Sequence, residues 1–167
     1  MTWYTFFAID LAARAVEIVG STPFPGDNFM KQVARNLTDC VDGFLVKKRL
    51  LILDCDKKFS EAFRDVLKAA GVRTILCPPR APNCNAYAGR FVRSIESECL
   101  DRLIFLGAGS LRYALTEFVA HYNTERTRQG IGNRLIRPKP TTTSADMPVS
   151  RTQRLGGLLS FYARRAA

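Results

Sequence analysis

The run Leu50-Leu51-Ile52-Leu53, set between KKR and DCDKKF, narrows the fold more than any other stretch. A continuous apolar run this short, bounded by charge, is the pattern of a central strand covered on both faces, and it ends in Asp54. A second stretch, WYTFFAID at residues 3–10, is aromatic and β-branched enough for a buried strand, and it too ends in a carboxylate, Asp10. Strands that alternate with helical patterns indicate an α/β layer fold with a mixed sheet.

The rest of the chain fits that frame. AVEIVG at residues 15–20 alternates apolar and polar positions, and the short LAAR link makes it the second arm of a hairpin. STPFPGD then leads into a helix expected from Asn28 to Asp39, capped by Asp27 or its predecessor, with Phe29, Met30, Val33, Leu37 and Cys40 on its apolar face. Ser60 opens a helix to Ala70 that turns Phe63, Val66 and Leu67 inward and stops at Gly71. VRTILC at residues 72–77 is another short strand. After the turn CPPRAP comes a helical stretch from Asn83 to Arg102, with Tyr87, Phe91, Ile95, Cys99 and Leu100 on one face. Ser110 is the expected cap of a last helix, Leu111 to Thr124, burying Leu115, Phe118, Val119 and Tyr122.

Charge divides the chain. Residues 1–125 carry 16 Lys and Arg against 14 Asp and Glu, whereas residues 126–167 carry 9 against 1. The division expected is a core domain over 1–125 and a basic C-terminal arm over 126–167, whose apolar end, RLGGLLSFYARRAA, docks on its own domain or on a second copy. A basic segment on a nearly neutral domain points to a polyanion partner, of which nucleic acid is the commonest. No apolar run reaches the ~18 residues that a membrane span requires, and the N-terminus lacks the features of a signal peptide, so a cytoplasmic protein without a membrane partner is expected. The five cysteines, Cys40, Cys55, Cys77, Cys84 and Cys99, form no C-x-x-C pair and are read as buried free thiols. His121 alone offers little for a Ser-His-Asp triad and is read as a helix-face residue.

Taken together, FFAIDLAARAVEIVG, LLILDCDKKFSEAFRDVLKAAGVRTI, PPRAPNCNAYAGRFVRSIESECLDRLIFLG and HYNTERTRQGIGN resemble the catalytic core of Asp-Asp-Glu transposases and integrases of bacterial insertion sequences and retroviruses. The resemblance spans about residues 4–135, and the closing LGGLLSFYARRAA is similar to the C-terminus of bacterial integrase-core proteins. It implies a ribonuclease H-like fold with a mixed five-stranded sheet flanked by helices, DNA as the partner, a role in DNA integration or transposition, and a bacterial, nucleoid-associated location. Asp10 matches the family's first aspartate, and Asp54, five residues before Phe59, matches the second. The family's glutamate falls in a pattern like NAYAERF, where this chain has NAYAGRF, so the third position is Gly89.

In that family the three carboxylates hold two Mg2+ or Mn2+ ions that activate the attacking oxygen and stabilise the leaving one. With Asp10 and Asp54 alone as catalytic and metal-binding candidates, the resemblance implies weakened metal binding and a catalytically degenerate core. Glu96 lies two turns beyond Gly89, about 10.5 Å along a helix axis, too far to replace the missing ligand, and Asp56 is expected to point away from Asp54. Two further departures are Arg128, where the family commonly has histidine, and the expected lack of a helix-turn-helix ahead of the first strand. Arg126, Arg128, Arg134, Arg137 and Lys139 on the arm, with Lys57, Lys58, Arg80, Arg90 and Arg93 around the active face, are the candidate DNA phosphate contacts. The alternative is a non-catalytic DNA-binding, assembly or regulatory role, as a homo-oligomer or as the partner of a full-length transposase.

Overall fold

The computed structural model describes residues 2–128, 132–138 and 148–164. They form two units, one comprising the chain up to Ala8 together with Glu17–Phe91, the other Ile9–Val16 together with the chain from Val92 onward.

The first unit is a set of strands layered with helices. Strand β1 (Tyr4–Ile9) pairs with β2 (Val16–Thr22). Helix α1 (Asp27–Leu37) packs against α2 (Glu61–Ala69), and β3 (Leu50–Leu53) pairs in parallel with β4 (Arg73–Leu76), Ile52 lying opposite Ile75. One core joins these elements: Ala8, Met30, Val33, Ala34, Leu37, Leu53, Phe63, Leu67 and Val72 are buried, with Phe6, Val19 and Leu51 packed on them. Burying each of the larger side chains contributes about 2 kcal/mol, so the apolar spacing of α1 and α2 places the helices on the strands.

The ends of α2 follow from local chemistry. The Ser60 hydroxyl accepts from the Phe63 amide at 3.4 Å and caps the start. At the other end Gly71 takes a φ of 79°, and the amides of Gly71 and Val72 donate to the carbonyls of Lys68 and Leu67, the Schellman arrangement that only glycine enters without strain. Helix α1 starts behind Gly26, the predecessor of Asp27, with no side-chain cap. One expected cap differs. Helix α4 (Ala108–Thr124) starts behind Gly107, and Ser110 lies inside its first turn, donating its hydroxyl to the Gly107 carbonyl. Gly107, at a φ of 146°, lets the chain enter the helix earlier than the serine suggests.

The five-stranded sheet is not what the described residues form. Their strands pair two by two, in four separate sheets. β3 and β4 are each only four residues long, and the strands of the first unit feed one common core without a continuous hydrogen-bond ladder between the pairs. For the same reason β3 is not covered on both faces: Leu51 and Leu53 turn toward the core, while Leu50 is 50% and Ile52 38% exposed. The apolar run therefore splits into an inner and an outer set, as the two-residue period of a strand requires.

In the second unit, α3 (Ala86–Glu98), which begins in the first, is preceded by a 3-10 turn over Pro82–Asn85 and followed by another over Leu100–Arg102. Ile95 and Cys99 are buried, as are Ala114, Leu115, Phe118 and Tyr122 of α4. The short strands β5 (Thr127–Arg128) and β6 (Arg134–Leu135) pair antiparallel, and so do β7 (Val149–Arg154) and β8 (Leu159–Arg164). Among the described residues no helix is long and apolar enough to cross a membrane.

Candidate functional site

Asp54 follows β3 directly and its side chain is exposed. It is not bare: the Asn85 side-chain amide, at the entry to α3, donates to its Oδ1 at 2.7 Å. The Asp54 carbonyl accepts from the Asp56 amide, and the Asp56 carboxylate turns to Lys58, whose Nζ lies 2.8 Å away. Hydrogen bonds from the Lys58 side chain and backbone hold the Asp56 carboxyl below its ordinary range. Asp56 thus serves the turn after β3.

Four residues beyond Asn85 stands Gly89, exposed in the first turn of α3. A Cβ at this position would meet no atom within 4 Å. No close approach of backbone or side chain accounts for the glycine. The buried side of the same helix is intact, with Phe91 only 1% exposed and its ring 4.7 Å from that of Phe7.

Asp10 belongs to the second unit, at the end of β1. Its Oδ1 accepts from the amides of Ala12 at 2.8 Å and Ala13 at 3.1 Å, the local turn in which short acidic side chains commonly settle. The loop that Asp10 opens is anchored by Asn123 of α4, whose side chain donates to the Val16 carbonyl at 2.8 Å and accepts from the Val16 amide at 3.0 Å.

Within its own unit each carboxylate has local partners: Asp54 shares one oxygen with the Asn85 amide, and Asp10 shares one with two backbone N–H groups. Among the described residues no group of three or more His, Cys, Asp or Glu side chains is gathered so as to hold a metal ion.

The candidate phosphate contacts are dispersed in circumstance. Lys57, Arg80, Arg90, Arg93, Arg134 and Arg137 are exposed. Lys58 is engaged with Asp56 and lies 4.8 Å over the Tyr4 ring. Arg126 pairs with Glu98 at 2.6 Å and sits 5.8 Å from the Tyr122 ring, half-buried. Arg128 lies in β5, and Lys139 is outside the described residues.

Sequence reasoning missed the strongest charge cluster. Arg154 of β7 donates through Nη2 and Nε to both carboxylate oxygens of Glu125, at 2.7 and 3.0 Å, and through Nη1 to Glu117 at 2.9 Å. His121 Nδ1 lies 3.1 Å from the same Glu125 carboxylate. Glu125 is 4% exposed, and Arg154, followed by His121, holds its carboxyl below the ordinary range. Glu125 in turn pushes the Arg154 guanidinium pKa up. This network clamps the C-terminal hairpin to α4. The alternation in VSRTQR, which puts Arg154 on the same strand face as Ser150 and Thr152, was the available signal.

The thiols also divide. Cys77 and Cys99 are buried, but Cys40, Cys55 and Cys84 are exposed, which corrects the reading of all five as interior. Those three sit in the segment after α1, the turn after β3 and the 3-10 turn before α3, where the apolar pattern of an adjacent element does not reach.

Residues 70–135 match the integrase core domain family. The matched segment contains Asn85, Gly89, α3 and α4, and stops short of Asp10 and Asp54. It supports an integrase- or transposase-core-like protein of the ribonuclease H-like class, in a chain whose described part is α/β with small sheets. No curated protein matches the chain.

Proposed function

We propose that the chain is an integrase-core-like protein that binds DNA and whose strand-transfer centre is degenerate. The observation that carries this reading is Gly89. It stands in the integrase-core-like segment where the resemblance calls for a glutamate, with open space around it, on a helix that keeps its buried face. Loss of the ligand without loss of the helix is what abandonment of metal chemistry on a retained scaffold would leave. Asp10 and Asp54 are, in this reading, the two remaining carboxylates of the ancestral set. The excess of positive charge after residue 125 supports retained DNA binding, with Arg134 and Arg137 exposed members of the candidate phosphate contacts on the arm.

Two assays test it. In a mobility-shift titration the chain binds duplex DNA with an affinity that falls as salt rises, and Arg134→Ala with Arg137→Ala weakens binding to all sequences and flattens the salt dependence. Absence of salt-sensitive binding would defeat the DNA-binding half. On supercoiled plasmid with Mn2+, wild type and Asp54→Asn give the same background and Gly89→Glu is the variant expected to gain nicking; nicking by wild type that Asp54→Asn abolishes would defeat the degenerate half.

An assembly role is favoured by one separate observation: Leu50, Ile52 and Ile75 lie exposed on one face of the β3–β4 pair. Sedimentation of wild type against Ile52→Lys with Ile75→Lys would detect a dimer formed through this face, and identical monomer masses would remove that reading.

A further inference from the structure

We infer that the outward face of the β7–β8 hairpin is a binding surface for single-stranded nucleic acid, with Tyr162 as a platform for an unpaired base. The inference rests on the nucleic-acid reading above and adds a surface and a strand state to it.

The register defines the face. Val149 pairs with Arg164, Arg151 with Tyr162 and Gln153 with Ser160, so these six side chains share one side of the ribbon. Arg154 and Leu159 belong to the opposite side, where Leu159 is buried and Arg154 is committed to Glu117 and Glu125. The outward side carries Arg151 and Arg164, and no acidic residue occurs anywhere in residues 148–164.

Tyr162 is 61% exposed on this outward side, its ring face open to a stacking partner. The Arg151 guanidinium lies 5.7 Å from the ring centroid and donates to the Ser160 hydroxyl at 3.1 Å. The turn beneath is tight, with positive φ at Leu155, Gly156 and Gly157, and the Arg154 clamp fixes the ribbon from below. An exposed ring flanked by guanidinium groups is what single-strand binders use, the base stacking on the ring while arginines meet phosphates. Duplex DNA, whose bases are already stacked, would use the arginines but not the ring.

Fluorescence anisotropy with a labelled oligothymidylate and a labelled duplex tests the inference on the full chain. Tyr162→Ala should lose about tenfold in affinity for the single strand, Tyr162→Phe should retain it, and duplex affinity should change less than about twofold in both. Arg151→Ala should weaken both ligands. Unchanged single-strand affinity in Tyr162→Ala, or wild-type binding to duplex alone, would overturn the inference and leave the DNA reading standing. Binding of neither ligand by wild type would overturn both. Matching thermal melts of wild type and Tyr162→Ala would exclude misfolding as the cause of a loss.

Discussion

The side-chain amide of Asn85 donates to the Asp54 carboxylate across 2.7 Å, joining the entry of α3 to the end of β3. A metal-binding carboxylate at a strand end ordinarily spends its oxygens on cations and waters. In this protein one of them is spent on an amide that positions the helix carrying Gly89.

Gly89→Ala is expected to stabilise the protein by up to about 1 kcal/mol, because alanine loses less backbone entropy in a helix and its Cβ meets no atom within 4 Å. Urea unfolding measures this directly. A destabilised variant would show that glycine is needed for packing, contrary to the open space around it.

Arg154→Met should cost about 3 kcal/mol, since it leaves the buried Glu125 carboxylate without its bidentate partner. The same unfolding assay reads it. A variant as stable as wild type would mean that the clamp on the hairpin contributes nothing.

Acid should loosen the clamp. Glu125 has its carboxyl held below the ordinary 4.5, so its contribution is complete above that value and is lost as pH falls through the lower folded-state value. Thermal melting temperatures are therefore expected to drop on acidification below pH 4.5, and to drop less in Glu125→Gln. Equal slopes for the two proteins would remove Glu125 as the cause.

Thiol titration should be biphasic. Cys40, Cys55 and Cys84 are exposed and should react with a disulfide reagent at once, whereas Cys77 and Cys99 should wait for unfolding. Burial pushes the Cys99 thiol up to about 11, which leaves almost no thiolate at neutral pH. Five fast equivalents in the folded protein would contradict this burial.

Asn123→Leu removes both hydrogen bonds to the Val16 backbone, within a buried site. Two unpaired backbone groups should cost roughly 2 to 4 kcal/mol and expose the Val16 amide to exchange. Unchanged protection of that amide in the variant would show that the loop from Asp10 to Val16 is held by other contacts.

Much of the first unit was legible because its elements announce themselves locally. The spacing of Met30, Val33 and Leu37, or of Phe63 and Leu67, specifies an apolar helix face without reference to any partner. Ser60 and Gly71 carry their cap chemistry in their own side chains and backbones. The extent of the sheets was less legible. Apolar content in LLIL reports that a strand is worth burying but not how many neighbours its edges find, and Leu50 and Ile52 came to lie exposed. In the candidate site, the glycine at position 89 could be read from NAYAGRF alone, while the amide on Asp54 could not.

By itself the sequence determined which stretches form helices and strands, which helix faces are apolar, where the positive charge lies and that position 89 has no side chain to offer. Only the tertiary structure decided that Asn85 meets Asp54 across 31 residues, that Arg154 closes on Glu125 across 29 and that Asn123 holds Val16 across 107. The reason is physical. Periodicity and capping are local properties of a few successive residues, whereas these contacts form only once the chain has closed on itself, and their partners are chosen by the geometry of that closure.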